Sequence, residues 1–87
     1  MDSPAYAPHP DVLVTDLQTE LVLLNTATSE MYSLNEVART VWTRLPATRA
    51  ELLSLLLERY EVAPAQAEQD LEALLADLQR LKMVQEG

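Results

Sequence analysis

Between residues 12 and 36 the chain alternates apolar and polar positions with the period of pleated strands. Val12 and Val14 alternate with Leu13 and Thr15, and a turn near Asp16 to Thr19 separates them from Leu21 to Leu24. A second turn, Asn25-Thr26-Ala27-Thr28-Ser29, leads into Met31, Tyr32 and Leu34. Strands are therefore predicted at about 12–16, 20–25 and 29–34. Their connections are too short for a parallel crossover, so the three form an antiparallel meander.

After Asn35 the period changes to that of helices. Two start signals overlap there: Ser33 with Glu36 has capping-box spacing, and Asn35 is itself a good N-cap. The first helix carries Val37, Ala38, Val41, Trp42 and Leu45 on its apolar face and stops at Pro46. A second begins with the Thr48-x-x-Glu51 capping box and carries Leu52, Leu53, Leu56 and Tyr60. A third opens at Pro64, which suits a first helical position, and runs to about Lys82. Its Ala67, Leu71, Leu74, Leu75, Leu78 and Leu81 form a continuous stripe. Met83 to Gln85 reads as a short closing strand or a plain tail. The fold class is α+β, a three-stranded antiparallel sheet followed by three helices.

Residues 1–11, with Pro4, Pro8 and Pro10, read as a flexible N-terminal segment ahead of one domain at 12–85. The chain has 87 residues, and a domain of that size buries only about 60–65% of the surface its unfolded form exposes. Cysteine is absent, which excludes disulfides, thiolate metal sites and a cysteine nucleophile. No run is long and apolar enough for a membrane span, and the first residues lack a signal peptide's basic and apolar regions. A soluble, cytoplasmic protein is expected.

Fourteen acidic against six basic residues give a net charge of −8, and the cations are scattered. Such a surface repels phosphate backbones, so no nucleic-acid partner is expected. The single histidine, His9, sits between two prolines, and Gly87 is the only glycine. Neither a nucleophile–base pair, a phosphate-cradling loop nor a metal-ligand spacing is visible, so we expect no enzyme, cofactor or metal.

Particular residues give this order of elements a likeness. Val22-Leu23-Leu24-Asn25 is followed by a turn and by Met31-Tyr32-Ser33-Leu34-Asn35, with Ala38 and Trp42 in the next helix. Glu51-Leu52, Tyr60-Glu61-Val62 and Asp70-Leu71 follow, the last leading Leu74-Leu75-x-x-Leu78. Over about 12–85 the chain resembles the PqqD-like family, the RiPP recognition elements, and within it the stand-alone members that serve lasso-peptide pathways. It departs from the pattern where a glycine is expected, at Thr28 or Ser29 and at Pro46 or Ala47.

The resemblance implies a winged helix-turn-helix-like domain that takes the leader of a precursor peptide as an added strand beside its third strand. That leader would offer a Tyr, a Pro and a Leu in an extended segment. The implied partners are the precursor peptide and a separate leader-cleaving cysteine protease, with an ATP-dependent cyclase acting afterwards.

The residues support such a role independently. Pro8 and Pro10 blunt pairing upstream of the first predicted strand, whereas residues 29–34 contain no proline, lysine or glycine. The third-strand edge is thus open to β-augmentation. The candidate peptide-binding residues are Glu30, Met31, Tyr32, Ser33 and Leu34 on that strand, and Ala67, Asp70, Leu71, Leu74 and Asp77 on the third helix. Met31 or Tyr32 lines the strand side, Leu71 and Leu74 form an apolar floor, and Asp70, Glu30 and Asp77 supply the rim. Every one of them also has a plain structural use open to it, as core, strand aromatic or solvated acid. The rival reading is a winged-helix interaction module without DNA binding, dimerising through the same third-strand edge.

Overall fold

A computed structural model of the chain describes residues 5–86. In chain order the elements are β1 (Ala5–Pro8), β2 (Val12–Asp16), β3 (Leu21–Asn25), β4 (Glu30–Leu34), α1 (Glu36–Arg44), β5 (Ala47–Thr48), α2 (Arg49–Arg59), α3 (Pro64–Arg80) and β6 (Val84–Glu86). The architecture is α+β with three helices, but there are two three-stranded sheets rather than one. The expected meander is β2-β3-β4, antiparallel throughout. The other sheet has the order β5-β1-β6, and its central strand lies in the segment expected to be flexible.

That correction has a physical cause. Ala5 and Tyr6 pair with Thr48 and Ala47, while Tyr6, Ala7 and Pro8 pair with Glu86, Gln85 and Val84. Both partners are remote in sequence, so no local pattern could announce the strand. Tyr6 packs on both halves of the core, and the His9 N–H donates to the Met83 carbonyl at 2.9 Å. Residues 1–4 of the same segment lie outside the described residues.

Local chemistry sets the helix ends. Of the two start signals before α1, Asn35 is the one used, its side chain accepting from the Ala38 N–H at 2.9 Å. The α2 capping box is complete: Thr48 Oγ1 accepts from the Glu51 N–H at 3.2 Å, and Glu51 Oε1 accepts from the Thr48 N–H at 3.0 Å. Pro64 is the first residue of α3. That helix ends at Arg80, because Lys82 turns left-handed at φ 57°. Its amide and that of Met83 then bond back to the Gln79 and Leu78 carbonyls, the pattern of a Schellman close.

One side of the core packs Leu21, Leu23, Leu34, Trp42, Leu78 and Met83 beneath the β2-β3-β4 sheet. The other packs Val41, Ala47, Leu52, Leu56, Leu71 and Leu75 among the helices. Asn25 is the one polar residue buried with them, 1% exposed. Its Nδ2 donates to the Lys82 carbonyl at 2.7 Å, and its Oδ1 accepts from the Ala27 and Thr28 amides at 2.9 and 3.2 Å. The β3–β4 turn is thereby tied to the end of α3. At the opposite end of the sheet, Arg39 on α1 grips Asp16 through both carboxylate oxygens, at 3.0 and 2.8 Å, and reaches the Gln18 carbonyl at 3.2 Å.

Two predictions follow from these ties. Asn25→Ala strands the Lys82 carbonyl and two turn amides, and should destabilise the fold by about 2–3 kcal/mol, a fall of about 10–20 °C in Tm by circular dichroism. The second concerns pH. The Gln18 N–H and then the Arg39 guanidinium hold the Asp16 carboxyl below its usual range, and the Thr48 N–H does the same for Glu51. Groups depressed in the fold stabilise it above their unfolded pKa, and that contribution is lost as pH falls through the folded value. Stability should therefore decline below about pH 4, and Asp16→Asn should flatten that decline in melts recorded from pH 5 to 3.

Candidate peptide-binding groove

The register of the sheet decides which main-chain groups are free. The Thr26 N–H donates to the Asp11 carbonyl and the Leu17 N–H to the Glu20 carbonyl, both at 2.9 Å, continuing the β2–β3 ladder at its two ends. Bonded pairs alternate along an antiparallel ladder, so Val22 and Leu24 face β2, while Leu21, Leu23 and Asn25 face β4. Their partners Leu34, Tyr32 and Glu30 are accordingly the bonded residues of β4. Met31 and Ser33 turn their N–H and C=O groups outward. No described residue pairs with that edge.

Beside the edge lies a groove of about 390 Å³ whose second wall is α3. Tyr32 and Ser33 line the strand side, and Leu71 and Leu74 the floor, with Asp70 and Asp77 on the helix. A smaller hollow shares Val37, Leu56 and Asp70 with it and adds Tyr60, Val62 and Ala67. Of the ten candidate residues, six line the groove itself and Ala67 lines its continuation. The other three do not. Leu34 is fully buried in the core, paired opposite Leu21. Met31 lies opposite Leu24 on the outer face of the sheet, 63% exposed, so of the two candidates for the strand wall it is Tyr32 that serves. Glu30 is exposed beside the turn, away from the groove lining.

Sequence reasoning missed Asn35, Val37, Ala38, Leu56 and Ala73 in the lining. Val37 carried a signal: it extends the α1 stripe into the first turn, where no neighbour covers it, and it remains exposed. Leu56 gave none, since a core leucine and a groove leucine look alike in a helical stripe.

The polar groups of the groove differ in how they are held. The Tyr32 hydroxyl donates to Asp77 Oδ2 at 3.3 Å, and Arg80 Nη2 donates to Asp77 Oδ1 at 3.3 Å. Partial burial raises the pKa of the Tyr32 phenol, and the adjacent Asp77 carboxylate adds to the rise. A raised pKa places this bond's stabilisation below the unfolded value near 10, to be lost as pH climbs through the folded one. Asp70 has one oxygen held by Gln66 Nε2 at 2.9 Å and forms no ion pair among the described residues. Four of the six cations, Arg39, Arg44, Arg49 and Arg80, are engaged with carboxylates, Arg80 with Asp77 at the groove itself, so the rim's acidic character rests on Asp70. Among the described residues no group of three or more His, Cys, Asp or Glu side chains is placed to hold a metal, and no helix is long and apolar enough to cross a membrane.

This combination of a bare strand edge, an apolar floor and an acidic rim is the geometry of a peptide-binding module. The family model described as Coenzyme PQQ synthesis protein D (PqqD) matches residues 20–84, and the chain belongs to that family. Among solved structures, it is similar to a lasso peptide synthetase B1 complexed with the leader peptide, at 28% identity and TM-score 0.80, over 92% of this chain and 96% of that one. It also shares its fold with TbiB1 in complex with the TbiA(beta) leader peptide, at 22% identity and TM-score 0.84, over 91% and 94%. No curated protein sequence matches the chain.

The register makes a direct prediction for the free protein. In hydrogen-exchange NMR, the amides of Met31 and Ser33 should exchange with little protection, while those of Tyr32 and Leu34 are protected. Equal protection along the strand would show the edge to be covered.

Proposed function

We propose that this protein binds the leader region of a ribosomally synthesised precursor peptide as a strand added to β4, and delivers it to a leader-cleaving protease in lasso-peptide biosynthesis. The observation that carries this reading is the outward-facing main chain of Met31 and Ser33, set directly beside a groove floored by Leu71 and Leu74. Membership of the PqqD family supports it, as does the likeness to a lasso peptide synthetase B1 seen with its leader. The domain then works in the cytoplasm as a recognition element, and bond chemistry belongs to its partners. Holding the leader at the protease raises its effective concentration there.

The side chains suit that division. Main-chain bonds accept any extended segment, and the groove selects among segments by the apolar side chains it takes between Tyr32 and Leu74. The acidic rim favours leaders with basic residues beside the paired segment. A second reading, self-association, is favoured by one observation: β2 is also a free edge, and its Leu13 and Val14 are 59% and 48% exposed. Size-exclusion chromatography with light scattering, with and without peptide, separates the two.

Proline substitution tests the strand model. Ser33→Pro removes an outward N–H and no ladder bond, so the fold should survive. With a fluorescein-labelled leader peptide in an anisotropy titration, Ser33→Pro should weaken binding at least about tenfold, the equivalent of about 1.4 kcal/mol. Val14→Pro, at an outward position of the opposite edge, should leave binding unchanged. Equal effects of the two would remove β4 as the docking edge.

A further inference from the structure

The two walls of the groove, β4 and α3, belong to different parts of the chain and meet in the core through Leu34 and Leu78. Among the described residues a single hydrogen bond connects them, from the Tyr32 hydroxyl to Asp77 Oδ2. The strand end of this link is firm. Tyr32 pairs with Leu23 in the ladder, and its ring packs against the core beneath the sheet. The helix end is firm as well, since Arg80 holds the other Asp77 oxygen at 3.3 Å and Leu78 beside it is fully buried. Both Asp77 oxygens are therefore occupied within the protein. Asp70, two helical turns away in the same groove, keeps an oxygen with no partner among the described residues.

From this contrast we infer that Tyr32 and Asp77 form a strut across the groove, fixing the separation of β4 and α3 and acting on a bound peptide through the walls, whereas Asp70 meets the peptide directly. The inference rests on the groove being the peptide site, and it reassigns two of its lining residues. The Tyr32 hydroxyl and the Asp77 carboxylate position the walls rather than meet the peptide, while the Tyr32 ring remains part of the strand wall. A groove whose width is fixed beforehand spares the peptide the cost of ordering its walls, which is the advantage of a preorganised site.

The strut can be tested without any ligand. The chain contains no cysteine, so Ser33→Cys and Ala73→Cys, both at exposed groove positions, accept a unique pair of nitroxide labels. Pulsed electron resonance should give one narrow distance with the native pair at 32 and 77. Tyr32→Phe and Asp77→Ala, which remove the donor and the acceptor, should each broaden it to a similar degree, and the double variant no further. An unchanged distribution in either single variant overturns the strut.

A binding cycle then tests its consequence, using unlabelled protein and a fluorescein-labelled synthetic leader peptide carrying Tyr, Pro and Leu. Loss of one hydrogen bond between the walls should raise Kd about 3–10-fold in Tyr32→Phe and equally in Asp77→Ala. The double variant should match the singles, while Asp70→Asn should multiply its effect onto Tyr32→Phe. Multiplying effects of Tyr32→Phe and Asp77→Ala would mean that Asp77 touches the peptide, and would overturn the inference, as would binding that neither variant alters. If the distances respond as expected but the native chain fails to bind the peptide, the proposed function is what falls; the strut stands as a feature of the groove.

Discussion

The groove exists because a buried asparagine holds the sheet and the third helix to each other. Asn25 has no room to be solvated, so its amide must be satisfied inside, and three main-chain groups from two separate segments do this. One of them is the carbonyl of Lys82, a residue in the left-handed region where a side chain carries a cost that glycine lacks. The Asn25 bond to that carbonyl helps hold the strained turn, and the turn aims the chain from α3 into β6. β6 in turn lies beside β1. A single side chain thus links the hairpin tip, the end of α3 and the second sheet.

The β2-β3-β4 sheet has two bare edges, and their surroundings differ. Along β2 the exposed aliphatic residues Leu13, Val14 and Leu17 take no part in lining the groove, and Asp16 among them is paired with Arg39. Along β4 the outward main chain lies against a cavity. Main-chain pairing alone offers little discrimination, because every peptide has the same backbone. Selectivity requires pockets for side chains at the strand's own spacing, and only β4 has a wall facing it across such a space. The edge that can choose its partner is the one with α3 alongside.

The elements governed by short-range chemistry were legible in the sequence. Asn35, the Thr48–Glu51 box and Pro64 place three helix starts within a residue of their observed positions, since caps depend on neighbours three or four residues away. The alternation of 12–34 gave the meander for the same reason. What could not be read is whatever needs distant partners. β1 is a strand only because residues 47–48 and 84–86 flank it, and its prolines pointed the other way. In the groove, the two residues of the strand wall were separable only through register. Alternation puts Met31 and Tyr32 on opposite faces, yet which face meets α3 follows from Leu21, Leu23 and Asn25 being buried, a tertiary fact. Ser29 is intermediate. It is one of the two positions where a family glycine was expected, and it adopts φ 65°, the left-handed conformation that glycine enters without steric cost.

The distribution of charge completes the division of labour. Most of the cations are spent within the fold, Arg39, Arg44 and Arg49 pairing a helix with a neighbouring element and Arg80 pairing within α3, so the net charge of −8 is carried largely by carboxylates without an ion-pair partner. Exposed pairs of this kind add little stability, and the domain is held by its aliphatic core instead. The unpaired acids are therefore free to act over a distance, drawing basic segments toward the surface before any backbone pairing begins. Under the proposed function, such steering would govern the rate of encounter and weaken as salt rises, whereas the Leu71–Leu74 floor and the β4 amides would govern how long a captured strand remains. Approach and retention are thus set by different residues, and one can be altered without the other.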